Sequence, residues 1–170
     1  MPKKLTLLAI AAFALLLTAC KDDTDVTPQR KFISFKMDNK VMLSEQIHRA
    51  FYSPGDLTDA DPTNDHSEML ITGYSYNRDV INIRITSPNP EITPGVYTNA
   101  TFGTEMIMEM NPSLELVGAD YNFGDLSITI HNLKDSVVTG QFTGTLVSMD
   151  DGSLKTISDG YFRVIYRNYP

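Results

Sequence analysis

Over residues 80–86 the chain alternates without a break: Ile81, Ile83 and Ile85 fall on one side, and Val80, Asn82, Arg84 and Thr86 on the other. A period of two is what a strand with one buried face requires, and no α-helix satisfies it. Leu126, Ile128 and Ile130 repeat the pattern. Residues 21–170 contain 15 Thr, 12 Ile and 9 Val against 9 Leu and 4 Ala. Side chains branched at Cβ are crowded in a helix and pack well on a pleated surface, so this balance favours strands. Further strands are expected at 32–37, 41–43, 47–52, 69–76, 96–98, 105–110, 137–149, 154–158 and 161–167. No window has the apolar stripe of an amphipathic helix.

Turn residues separate these runs at hairpin distances. Asp151-Gly152 reads as a two-residue type I′ turn, in which both residues take positive φ. Asn77-Arg78-Asp79, Lys134-Asp135-Ser136 and Asp38-Asn39-Lys40 read as further short turns. Asp159-Gly160 fits either another hairpin or a bulge that bends one long C-terminal strand, and the bulge is the preferred reading. The expected fold is all-β: an antiparallel β-sandwich or flattened β-barrel built from meander hairpins, as a single domain over 31–170.

The first twenty residues obey a different rule. Fifteen of them are apolar, Lys3 and Lys4 precede the apolar run, and the segment closes on Leu17-Thr18-Ala19-Cys20. This is the plan of a cleaved secretory signal over 1–19. The apolar stretch from Leu5 to Ala19 covers only ~22 Å as a helix, against a hydrocarbon core of ~30 Å. The Leu-Thr-Ala-Cys ending resembles the lipobox of bacterial lipoproteins, and Cys20 is the only cysteine in the chain. The resemblance implies lipid attachment at Cys20, and two or more acyl chains hold a protein firmly on a membrane. The following Lys21, Asp22 and Asp23 resemble the export signal of Bacteroidetes-type lipoproteins. That likeness implies an outer-membrane anchor facing the cell exterior, with residues 20–30 as lipidated start and tether. Residues 21–170 carry 12 basic and 21 acidic side chains, a balance of −9. So acidic a domain does not suit nucleic acid, and its contact with the membrane is expected through the lipid alone.

Several runs carry a wider likeness: Gly95-Val96-Tyr97, Gly124-Asp125-Leu126-Ser127-Ile128, Val138-Thr139-Gly140-Gln141-Phe142 and Ile157-Ser158-Asp159-Gly160-Tyr161-Phe162. Together they resemble a family of uncharacterised Bacteroidetes lipoprotein domains over roughly residues 31–167. Gln141 stands where that family commonly has threonine. The likeness implies a β-fold and an envelope location, and it supplies no catalytic or binding residues.

Chemistry is sparse. Residues 53–67 form a polar loop in which Asp56, Asp59, Asp61 and Asp65, with Asn64, are candidate calcium ligands; the loop lacks the glycine and terminal glutamate of an EF-hand. Met106, Met108 and Met110 share a strand face and read as core filler, with soft-metal binding or an apolar groove as the alternatives. His48, His66 and His131 fall in separate elements and show no metal-ligand spacing. Tyr74 with Tyr76, and Tyr161 with Arg163, are candidate glycan-facing pairs. Asp135-Ser136-Val137 resembles the acceptor of Bacteroidetes O-glycosylation. No nucleophile elbow, phosphate loop or zinc motif is present. The chain is therefore expected to be a non-enzymatic binding, adhesion or envelope-accessory module needing no cofactor, with a glycan or an envelope protein as partner. The alternative is a hydrolase of polysaccharide or peptide using a pair of carboxylates.

Overall fold

A computed structural model describes residues 30–45 and 48–169, and Lys31–Pro170 forms one unit. The described residues contain eleven strands and no helix. They are β1 (Phe32–Met37), β2 (Lys40–Ser44), β3 (His48–Ser53), β4 (Ser67–Tyr74), β5 (Val80–Ser87), β6 (Gly95–Thr98), β7 (Glu105–Met110), β8 (Glu115–Ala119), β9 (Asp125–Lys134), β10 (Val137–Ser148) and β11 (Leu154–Asn168). The all-β expectation holds. Cys20 and the Lys21-Asp22-Asp23 signal lie outside the described residues.

The pairing closes on itself. Strands run in the order β2-β1-β11-β3-β4-β5-β7-β8-β10-β9-β6, and β10 also pairs with β11. A ring β11-β3-β4-β5-β7-β8-β10 therefore returns to β11, with β1 and β2 added on one flank and β9 and β6 on the other. All pairings are antiparallel except a short parallel one, in which Tyr166, Arg167 and Asn168 face Ala50, Phe51 and Tyr52. The fold is thus a flattened barrel with two short free edges. Such edges offer little template for a further strand.

One core fills the ring. Ile81, Ile83 and Ile85 of β5 are fully buried, as are Met69 and Ile71 of β4 and Leu126 and Ile128 of β9. Phe142 sits at the centre of an aromatic group, 5.6 Å from Phe35 and 6.3 Å from Phe162 between ring centroids. Glycines make room for these rings: a Cβ on Gly160 would meet the Phe142 carbonyl and ring, and one on Gly140 would meet the Phe162 ring.

The bulge is where the sequence placed it, and it determines which side chains face out. Ser34 and Lys36 of β1 pair with Tyr161 and Ser158, and Phe142 and Gly144 of β10 pair with Gly160 and Ile157. Both ladders thus meet the same extra residue in β11, at Asp159, whose φ is 52°. An odd insertion reverses the alternation. Ile157 is buried before it and Phe162 and Val164 after it, so Tyr161, Arg163, Ile165 and Arg167 turn outward.

Three details differ from the expectations above. β8 was not foreseen, because Glu115-Leu116-Val117-Gly118-Ala119 offers neither strict alternation nor branched side chains beyond Val117. β4 ends at Tyr74, so Tyr76 belongs to the turn and shares no strand face with it. The β10–β11 hairpin is not a type I′ turn: Ser148 N–H donates to Ser153 O, and of Asp151 and Gly152 only the glycine has positive φ (74°). Type I′ geometry occurs instead at Asp38-Asn39 and Asp135-Ser136, where both residues have positive φ. The Pro-Gly-x-Tyr run has a structural reason. Tyr97 hydroxyl donates to Thr93 O (2.7 Å) and accepts from Thr93 N–H (3.0 Å), clamping the loop before β6.

Candidate functional site

β10 and β11 each change neighbour part-way along, which creates two forks in the barrel wall. β10 pairs with β9 up to Thr145 and with β8 from Val147, so only Leu146 spans the gap. That corner is sealed. Gly124, at φ 71°, lies so close that a Cβ there would stand 2.7 Å from Ala119 Cβ. Asn99 donates to Asp120 O (2.6 Å) and accepts from Leu126 N–H (3.0 Å), stitching the edges together.

The other fork is open. β11 pairs with β1 up to Arg163 and with β3 from Tyr166, leaving Val164 and Ile165 without a partner in either ladder. A hollow of about 320 Å³ lies there, lined by Lys31, His48, Arg49, Ala50, Phe51, Ile165 and Arg167. Residues 31–170 hold ten Lys and Arg and eighteen Asp and Glu, yet the lining includes three of the cations and none of the acids. Ala50, Phe51 and Ile165 supply an apolar floor, with Ile165 41% exposed. Ion pairs among the described residues include Lys36–Asp159, Arg84 with Glu68 and Glu105, and Lys155–Glu115. Lys31, Arg49, Arg163 and Arg167 take part in none of these. A cationic rim over an apolar floor is suited to a ligand with an anionic group and an apolar face.

His48 stands at the rim. Its Nε2–H donates to Ser44 O (2.7 Å), with the Ser44 hydroxyl oxygen as a second acceptor at 3.1 Å. Partial burial holds its pKa below the ordinary 6.5 and Lys31 lowers it further, while the Ser44 hydrogen bond and Glu45 act the other way. The unfolded chain therefore takes up this proton more readily than the folded one. His48 contributes its full share to stability above pH 6.5, and that share falls as pH drops towards the folded pKa. Urea midpoints taken between about pH 7.5 and about pH 5 should fall less steeply in His48→Gln than in the parent. Equal slopes would mean that His48 does not carry this dependence.

The acidic loop looks different in structure. Asp56 accepts from the Thr58 amide and hydroxyl, and Asp61 from those of Thr63, which holds both carboxyls below their ordinary pKa. Asp59 accepts from Asp61 N–H and Asn64 Nδ2. These carboxylates stabilise their own loop. Among the described residues no cluster of three or more acidic, histidine or cysteine side chains could hold a metal. Two wider hollows flank the loop, one of about 570 Å³ beside Asp56 and Glu91 and one of about 480 Å³ beside Asp56, His66 and Glu68. A glycosidase acid needs its pKa raised, and the Asp56 carboxyl is shifted the opposite way.

The remaining candidates disperse. Met106 and Met108 are fully buried and Met110 packs against the core, so no methionine-lined groove exists there. His66 and His131 are exposed on separate elements. Tyr161 stacks on Phe32 at 5.5 Å on the outward face, beside Arg163. Ser136 is exposed at a hairpin tip. Gln141 points outward between Tyr161 and Thr129, as its place in the strand implied. No protein family, no curated protein and no solved structure matches this chain.

Proposed function

We propose that this protein is a bacterial outer-membrane lipoprotein, anchored through Cys20 and facing the cell exterior, whose β-domain binds a ligand without transforming it. The observation that carries the binding part is the open fork. It is a hollow with cations and an apolar floor, and its lining has no carboxylate and no serine, threonine or cysteine. The barrel is otherwise sealed at the corresponding corner, so the opening is not a general consequence of the strand exchange. The membrane part rests on the leader, the Leu-Thr-Ala-Cys ending and the acidic tether start. The hydrolase alternative has less support, because the carboxylate shared by both acidic hollows, Asp56, is engaged by Thr58.

Protease added to intact cells should remove the β-domain, leaving periplasmic proteins untouched. A domain that is cut only after the cells are lysed would contradict the outward-facing reading.

A further inference from the structure

Tyr161, Arg163, Ile165, Arg167 and Tyr169 recur at every second position and line one outward strip along β11 and its continuation. Aromatic partners brace both ends: Phe32 stacks on Tyr161, and Phe51 meets Tyr169 edge-on at 6.0 Å. The open fork lies along this strip, adding Lys31 and Arg49 beside Arg167. The eight steps from Tyr161 to Tyr169 span ~27 Å of strand, and the two arginines stand ~13 Å apart along it. The strip is therefore longer than one small molecule, and its cations are spaced rather than crowded.

Resting on the binding reading above, we infer that the strip and fork bind an acidic polysaccharide, with sugar rings lying on the aromatic and aliphatic side chains and carboxylate or sulfate groups paired with the arginines. A sugar ring offers the apolar face that Tyr161, Ile165 and Phe51 require, and guanidinium groups pair with planar or multi-oxygen anions. A duplex nucleic acid carries a charge every ~1.7 Å, far denser than these arginines, and keeps its base faces stacked inside the helix, so it offers no flat apolar face to Tyr161 or Ile165. An acidic peptide has the charge but lacks the repeated flat apolar face.

The test uses the full chain in uncharged detergent, titrated with dextran sulfate, uncharged dextran, poly-L-glutamate and duplex DNA. Dextran sulfate should bind with an affinity that falls as salt rises, and uncharged dextran should not bind. The double variant Arg49→Gln, Arg167→Gln should lose about tenfold or more in affinity. Lys40→Gln with Arg78→Gln removes the same charge from the exposed start of β2 and the exposed β4–β5 turn, and should bind as the parent does. Tyr161→Ala should weaken binding by about three- to tenfold, with the salt dependence unchanged. Thermal melts identify any variant that unfolds, and the single variants Arg49→Gln and Arg167→Gln then replace the double one. Equal loss in both charge-removed pairs, or binding of DNA or poly-L-glutamate as tight as that of dextran sulfate, would overturn the inference. So would failure to bind any of the four. Surface exposure on intact cells would survive such a failure, and a protein that binds dextran sulfate but resists protease on intact cells would refute only the outward-facing reading.

Discussion

Phe142→Ala is expected to cost about 3–5 kcal/mol of folding stability, a large share of the roughly 5–15 kcal/mol typical of a domain. Phe142 is 1% exposed and joins the β1 flank to the ring: Phe35 on β1 and Phe162 on β11 both pack on it. Its neighbourhood cannot collapse to fill the void, because the backbone opposite is already at contact. The Gly160 backbone is held against the Phe142 carbonyl, and the bulge there is fixed by two ladders at once. Urea unfolding should show a large fall in midpoint with little change in slope. A loss below about 1 kcal/mol would mean that the β1, β10 and β11 layers are not packed as described.

Asp79→Ala should be the second large effect, about 2–4 kcal/mol, from hydrogen bonds rather than volume. Asp79 is a carboxylate only 1% exposed, in the turn between β4 and β5. Its Oδ2 accepts from the Ser75 hydroxyl (2.6 Å) and its Oδ1 from Asn111 N–H (2.8 Å). Asn111 Nδ2 also donates to Asn77 O (2.7 Å). The β4–β5 turn is thereby tied to the turn between β7 and β8. Truncation strands a buried hydroxyl and an amide and unties two hairpins together. Asp59→Ala in the exposed loop should instead stay within about 0.5 kcal/mol, since its partners can bond to water. Equal losses from the two variants in parallel urea melts would reject this assignment.

The contrast between those two aspartates shows what the sequence could and could not reveal. Asp79 reads as one more turn former, and nothing local says that its side chain points inward to a segment 32 residues away. The clustered loop aspartates catch the eye as a possible site, yet their oxygens are satisfied two residues away by Thr58, Asp61 and Thr63. Strands were legible wherever branched side chains alternate, as in β5. β8 was not, because Gly118 and Ala119 carry almost no pattern although they are buried.

The open fork illustrates the same limit. Lys31, Arg49 and Arg167 are remote in sequence, and only the exchange of β1 for β3 beside β11 brings them together. One part of the signal was visible. The alternation of Arg163, Ile165 and Arg167 with Val164 and Tyr166 marks a cationic strand face, and Tyr161 with Arg163 was already a candidate pair. Which way that face points depends on the parity set by the Asp159 bulge, a single residue whose effect spreads along the rest of the strand.

On this reading the open fork and the β11 strip beside it, and no other part of the described barrel, form the binding surface. Backbone amide chemical shifts of the isotope-labelled full chain, followed during titration with dextran sulfate, test it most directly. Shifts are expected to concentrate at Lys31, Arg49, Ile165 and Arg167 and to fade along β11 towards Tyr161. Shifts centred on the loop around Asp56 to Asp65, or on the sealed corner at Gly118 and Gly124, would contradict it.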